Sequence, residues 1–305
     1  MRNQFAQTVE TVAAQDEKLV LVLGDIGVFS MRNFQQRFPD RFFNIGILEQ
    51  AMVSIAAGMA QQGLHPVVHS ISPFIVERAY EQIKDDLCYQ KLGANLVTVG
   101  AAYDYVPDGP THHNYEDFAV LRVLPGMEVV CPGSAAEFDS LFKQTYNNGH
   151  PTYFRLSATN SGVSFPPDQI VFGKGIQVKT GNKLLIFVTG PRLKNVLEAV
   201  GSDDIDVVYF HTLKPFDAEL ARERARKVEN IICVEEHSVS GGFGSLVAET
   251  VGDIPGVTVR RMGIPDRFQT AYGSFEEISH DIRIDTAGIR AEIESCLRGE
   301  IINVP

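Results

Sequence analysis

None of the chain's four cysteines, Cys88, Cys131, Cys233 and Cys296, is spaced as CxxC, so neither a zinc-finger set nor a dithiol redox motif is present. Each lies in or beside an apolar run, where a buried free thiol is the plainer reading. No uncharged apolar run approaches the roughly 18 residues that span a bilayer. Positive charge is scarce: 27 Lys and Arg stand against 38 Asp and Glu, a formal net charge of −11. That argues against a nucleic-acid surface, which needs clustered cations to displace counterions. It leaves room for a local cationic pocket. The first residues, MRNQFAQTVETVAAQ, lack the apolar core of a signal peptide, so a reducing cytoplasm is the expected location. Repeats of solenoid length and low-complexity tracts are absent as well.

What the sequence does hold is a soluble, globular balance. Its 305 residues suit two domains, and a 44% hydrophobic share supplies their cores. Short apolar runs at 19–24, 42–46, 66–71, 95–101, 127–131 and 151–156 are too continuous for one-faced strands. They read as strands covered on both sides, as in a parallel sheet. Amphipathic stretches at 49–62 and 74–90 lie between them. This alternation predicts an α/β domain. The Ser-, Gly- and Pro-rich segment 157–175 then reads as a linker. A second, smaller α/β series follows, with strands at 183–190, 205–211, 230–237 and 257–264 and helical patterns at 215–228 and 241–252.

Four segments hold residues that can carry chemistry. In NIGILEQAMVSIAAGMAQQG (44–63), Glu49 opens a helix rich in small residues. A carboxylate there complements the helix dipole; alternatively, it sits in an apolar pocket that raises its pKa. In HSISPFIVERAYEQIKDDLCYQ (69–90), Phe74 starts a helix whose Arg78, Glu81, Lys84 and Asp85 are accounted for by intrahelical pairing. In YDYVPDGPTHHNYED (103–117), turn chemistry accounts for Asp108, Gly109 and Pro110. The adjacent His112 and His113 diverge too much for a shared metal, and a loop after a strand is a normal place for substrate contacts. In VEEHSVSGGFGS (234–245), the glycines before a helix resemble a weak anion-binding loop, with strand-to-helix packing the better reading.

In this order the segments resemble the transketolase family, across nearly the whole chain. FPDRFFNIGILEQ (38–50) is similar to the stretch around that family's acid, as also found in deoxyxylulose-phosphate synthases. DGPTH (108–112) looks like its substrate loop, and VEEHSVSGGFGS with MGIPDRF (262–268) resembles its carboxy-terminal domain. The resemblance implies an α/β fold of two domains, each a mostly parallel sheet flanked by helices. A thiamine-diphosphate pyrimidine-binding domain (1–165) is followed by a transketolase C-terminal domain (176–305). It implies thiamine diphosphate with Mg²⁺ as cofactor, and transfer of a two-carbon ketol unit from a ketose donor to an aldose. Glu49 matches the acid that hydrogen-bonds the aminopyrimidine ring, and Phe74 the aromatic that stacks on it. Asp25 and Arg78 fall near the cofactor. Asp108 and His112 match the residues that face the sugar, and Arg2 matches an arginine that holds the substrate's distal phosphate.

Two departures qualify that expectation. The GDG motif and Asn-rich end that bind diphosphate and Mg²⁺ are not found; LGDIG, the nearest match, sits at the start of the pyrimidine domain. Mg²⁺ needs hard oxygen ligands in near-octahedral array, and the chain offers no candidate set. A partner subunit is therefore expected to supply that site, in an α₂β₂ heterotetramer. Second, PTYFRLSATN (151–160) puts Ala158 where the family has a phosphate-gripping arginine. Arg155 is the nearby alternative, but residues three apart on a strand face opposite sides. A 2-oxoacid dehydrogenase β subunit is the main competing enzyme reading, and a non-catalytic assembly subunit is the third.

Overall fold

In the computed structural model, which describes residues 1–300, the apolar runs form two sheets. The first collects β1 (Leu19–Leu23), β2 (Phe42–Asn44), β3 (His65–Ile71), β4 (Asn95–Val99), β5 (Glu128–Val130) and β6 (Thr152–Leu156). All six are parallel, in the order β5-β6-β4-β3-β1-β2. Every residue of β1, β4 and β6 is buried, as continuous apolar runs require of strands covered on both faces.

The second sheet is built from β7 (Gly175–Lys179), β8 (Leu185–Thr189), β9 (Asp206–Phe210), β11 (Asn230–Ser238) and β12 (Thr258–Ile264). Its order is β12-β11-β8-β9-β7, parallel except for the antiparallel edge strand β7. The short strand β10 (Thr212–Lys214) crosses back and pairs antiparallel with β5, as the seventh strand of the first sheet. One apolar cluster also runs through both sheets, joining Val129 and Tyr153 to Phe187 and Phe210. The two units therefore share a strand and a core.

The fold has a switch point that matters for the site. From β1 the chain passes to β2 on one side, and β3 and β4 lie on the other. In open α/β sheets, ligands bind outside the carboxyl ends of strands at such a reversal. Here those ends are Gly24–Asp25 after β1 and Ser70–Ser72 at the end of β3.

Candidate active site

The helix Glu49–Gln61 follows β2 through a turn at Gly46, whose φ of +78° favours glycine. Glu49 is fully buried. Its carboxylate makes no bond to the free N–H groups of its own helix. Instead Oε1 accepts from the Ser70 hydroxyl at 2.9 Å and Oε2 accepts from the Arg78 guanidinium at 2.6 Å. Each carboxylate oxygen retains a free lone-pair direction. Dipole complementation alone does not account for a carboxylate turned to the end of a neighbouring strand.

The segment read as one amphipathic helix over 74–90 is broken. It forms Ser72–Val76, with Pro73 in its first turn, then Tyr80–Gln82, then a wider-wound π turn at Ile83–Tyr89. Residues 77–79 between the first two pieces let Arg78 turn back over the site. Its guanidinium pairs with Glu49 and lies 4.4 Å from the centre of the Phe74 ring. The intrahelical pairing expected for Arg78 is replaced by this contact.

From Phe74 the row continues outward. Phe74 meets the edge of His112, with ring centres 5.1 Å apart, and His112 meets Tyr105 at 6.2 Å. The His112 ring is oriented by Thr111, Oγ1 to Nδ1 at 2.9 Å. Arg2 donates to the Tyr105 hydroxyl at 3.2 Å. Glu49, Arg78, Phe74, His112, Tyr105 and Arg2 thus form one chain of contacts, from a dry carboxylate to an exposed cation.

Beyond Tyr105 opens a cleft of about 370 Å³, at the carboxyl ends of β4 and β6. Arg2, Asn3, Asp104, Ser157 and Ala158 are among the residues that line it. Asp104 Oδ2 accepts the backbone N–H of Ala101 at 3.0 Å and of Ala158 at 2.8 Å, and Oδ1 accepts the Ser157 hydroxyl at 3.3 Å. Burial, then the charge of Glu236, pushes the Asp104 carboxyl up to about 7.

Other expected residues stand apart from the row. Asp25, at the end of β1 with φ +63°, is bonded to Asn44 through both backbone and side chain. Asp108 is exposed at the tip of its loop. Arg155, expected near the substrate, is only 1% exposed and presents no donor to the cleft. It bonds Asp117 at 2.7 Å and the backbone carbonyls of Asn114 and Glu236 at 3.1 and 2.7 Å. Glu236 in turn holds Arg192 at 2.6 Å. Arg155 therefore ties the two sheets together, because its face of β6 is covered by the second unit.

The glycine loop before Phe243–Val251 holds an anion of its own. Glu235 accepts the N–H groups of Phe243 and Gly244 at 2.6 and 2.8 Å. A Cβ on Gly242 would collide with that carboxylate, so the close approach requires glycine. Strand-to-helix packing, the plainer sequence reading, is what the loop does. Ser70, Tyr105 and Asp104 were not singled out in the sequence, although each lies within a quoted segment.

The described residues contain no group of three or more His, Cys, Asp or Glu arranged to hold a metal ion. The pyrimidine end of thiamine diphosphate has a fitting counterpart in the dry Glu49 carboxylate beside the half-buried Phe74 ring. Among the described residues no cluster of hard oxygen donors is gathered to hold Mg²⁺ for the diphosphate end.

Comparison with known proteins agrees with this architecture. Residues 1–162 match the model of the transketolase pyrimidine-binding domain, and residues 173–289 that of the transketolase C-terminal domain. The chain belongs to the transketolase family. It is 33% identical over 296 residues to one of the subunits of the apulose-4-phosphate transketolase of Phocaeicola vulgatus, covering 94% of each chain. It is 35% identical to 1-deoxy-D-xylulose-5-phosphate synthase 1 of Geobacter sulfurreducens, but spans only 47% of that protein's length. Among solved structures, a split-gene transketolase described as an inactive β4 tetramer superposes with a TM-score of 0.85 at 29% identity, over 97% of both chains. The transketolase of Pichia stipitis shares the fold, with a TM-score of 0.79 at 17% identity over 46% of its chain.

Proposed function

We propose that this chain is the pyrimidine-side subunit of a two-subunit transketolase, moving a two-carbon ketol unit from a ketose donor to an aldose acceptor. The observation that carries the reading is Glu49: a fully buried carboxylate at the switch point, bonded only to Ser70 and Arg78 and flanked by an aromatic ring. Thiamine diphosphate, when bound, supplies the nucleophilic carbon that adds to a carbonyl and stabilises the resulting charge. The chain's own residues do the rest. Glu49 holds and returns a proton at the pyrimidine nitrogen, a task that needs a carboxyl shielded from water. Phe74 offers its face to that ring. Arg78 keeps Glu49 paired until the ring arrives. His112, fixed by Thr111, hydrogen-bonds the oxygens of the reacting sugar. Asp108 and Arg2 contact the sugar further out, and Asp25 borders the cofactor.

A partner subunit carrying the diphosphate and Mg²⁺ site completes the active site. Support comes from the surface beside Glu49. β2 is an open sheet edge, and Phe43, Ile47, Leu48 and Ile55 expose apolar side chains along it and the following helix. The match in length to one chain of a multi-subunit transketolase points the same way. A heterotetramer in a reducing cytoplasm fits the four free, buried cysteines.

The test is reconstitution with the partner subunit, scored for ketol transfer between ketose and aldose. Glu49→Gln is expected to lower kcat by at least about 100-fold with the complex intact. Full activity in that variant, or decarboxylation of pyruvate in place of ketol transfer, would overturn the reading.

A further inference from the structure

The outer cleft is built from parts that ordinarily bind an anion. The N–H groups of Ala101 and Ala158 and the Ser157 hydroxyl converge on one point, at the carboxyl ends of two parallel strands. Convergent backbone donors of this kind make an anion-binding cup. Here the cup is already filled by Asp104. Among the described residues lining this cleft, Arg2 is the cationic side chain, and the Met1 amino group lies near enough to Asp104 to interact with its charge. Ala158 contributes a backbone N–H, donated to Asp104, and no charge of its own.

We propose that Asp104 is a specificity-determining residue: it selects a substrate whose far end carries hydroxyl groups and disfavours one that ends in a phosphate. A phosphomonoester carries between one and two negative charges near neutral pH and offers only acceptor oxygens. In this cleft it finds the converging donors taken and, where Asp104 is ionised, meets a like charge, with Arg2 and the Met1 amino group as the cations of the lining. A hydroxyl can donate to the remaining lone pairs of the Asp104 carboxylate and accept from Arg2 or Asn3, so a polyol tail matches the wall it faces. The filled glycine loop at Glu235 is a separate example of the same arrangement in this chain.

This proposal rests on the transketolase reading, so its test has one arm that does not. In the first arm, inorganic phosphate is titrated at pH 8 into the full chain by calorimetry. The wild type is expected to show no saturable binding below about 10 mM. Asp104→Ser frees the three donors and is expected to bind at least tenfold more tightly. Asp104→Asn keeps the shape and, through its one carbonyl oxygen, the two backbone N–H bonds, but removes the charge and releases the Ser157 donor, so it should fall between the two. It also decides the matter if the serine variant does not fold. Adding Arg2→Ala to the variant that binds should abolish the gain. Phosphate binding by the wild type equal to that of the variants, or a gain that survives Arg2→Ala, overturns the assignment. In the second arm, the reconstituted complex is given matched ketoses with and without a terminal phosphate. The wild type should favour the unphosphorylated donor in kcat/KM by tenfold or more, and Asp104→Asn should narrow that ratio. A wild-type preference for the phosphorylated donor overturns the proposal. Absence of ketol transfer from either donor overturns the functional reading instead, while the phosphate titration still decides the role of Asp104.

Discussion

Arg78 and Arg155 each hold a fully buried carboxylate, and they differ in what else can reach them. Arg78 is 39% exposed on its side chain, makes a single ion pair with Glu49 and leans on one aromatic face. Arg155 is 1% exposed, bonds Asp117 and two backbone carbonyls, and lies 4.8 Å from the Phe118 ring centre. The chemistry of the pairs is the same and the surroundings are not. A pair with one solvated member can be opened by an incoming ligand. A pair walled in by two sheets cannot rearrange without parting them. Function belongs with the first and assembly with the second.

The sharpest way to break this contrast is to remove Arg155. Arg155→Ala leaves Asp117 buried with a bond from Tyr153 and no cation, and it strips the Glu236 carbonyl of the second unit of its donor, while the Asn114 carbonyl keeps the Ala102 N–H. Losing one partner of a buried pair costs about 3–5 kcal/mol. Urea denaturation should show a loss of that order, up to failure of the chain to fold. A loss below about 1 kcal/mol would mean that the network does not join the two units. Arg78→Met is the counterpart. Glu49 keeps Ser70, and water can reach the space vacated by a half-exposed side chain. After allowance for solvent screening, the expected loss is about 1–2 kcal/mol. If Arg78→Met costs as much as Arg155→Ala, the distinction between an open and a closed pair fails.

The same contrast marks how far the sequence could be read. The long apolar strands were legible because burial on both faces leaves an unbroken run of Val, Leu and Ile. β7 was not, because it is an edge strand with polar, partly exposed positions. β10 was not, because three residues carry no periodicity and their partner strand, Glu128–Val130, lies far upstream in the other sheet. Glu49, Phe74 and His112 were legible only through a family pattern, and the structure then brings them into one row. Arg155 was misplaced for a physical reason. Alternation along a strand tells which residues share a face, but not which face a second unit will cover. The break at 77–79 was hidden because the charges around it suit a continuous helix equally well.

The smallest expected effect concerns titration, and it separates the outer cleft from the interior. Burial pushes His69 and His237 down to about 4; His69 Nδ1 lies 2.7 Å from the Val97 carbonyl, and His237 stacks on Phe118. Their folded-state values lie below the unfolded value near 6.5. The stability they contribute is present above that value and is lost as pH falls through 4. Asp104 and Glu77 are shifted the other way, each up to about 7, first by burial and then by the charges of Glu236 and Glu116 respectively. Their contribution is present at acid pH and is lost as pH rises through 7. Above about pH 7.5 the histidines are neutral in both states, and of these groups only the carboxyls act, joined by Glu235, which burial pushes up to about 8. The unfolded chain binds fewer protons than the folded one there, and stability must fall with rising pH. The expected fall is on the order of 1 kcal/mol. Asp104→Asn should reduce it, leaving the shares of Glu77 and Glu235, whereas the acid limb to which His69, His211 and His237 contribute should not move. A slope above about pH 7.5 that is unchanged in Asp104→Asn would show that the carboxyl in the cleft is ionised without penalty, and that its donors hold it more strongly than burial opposes it.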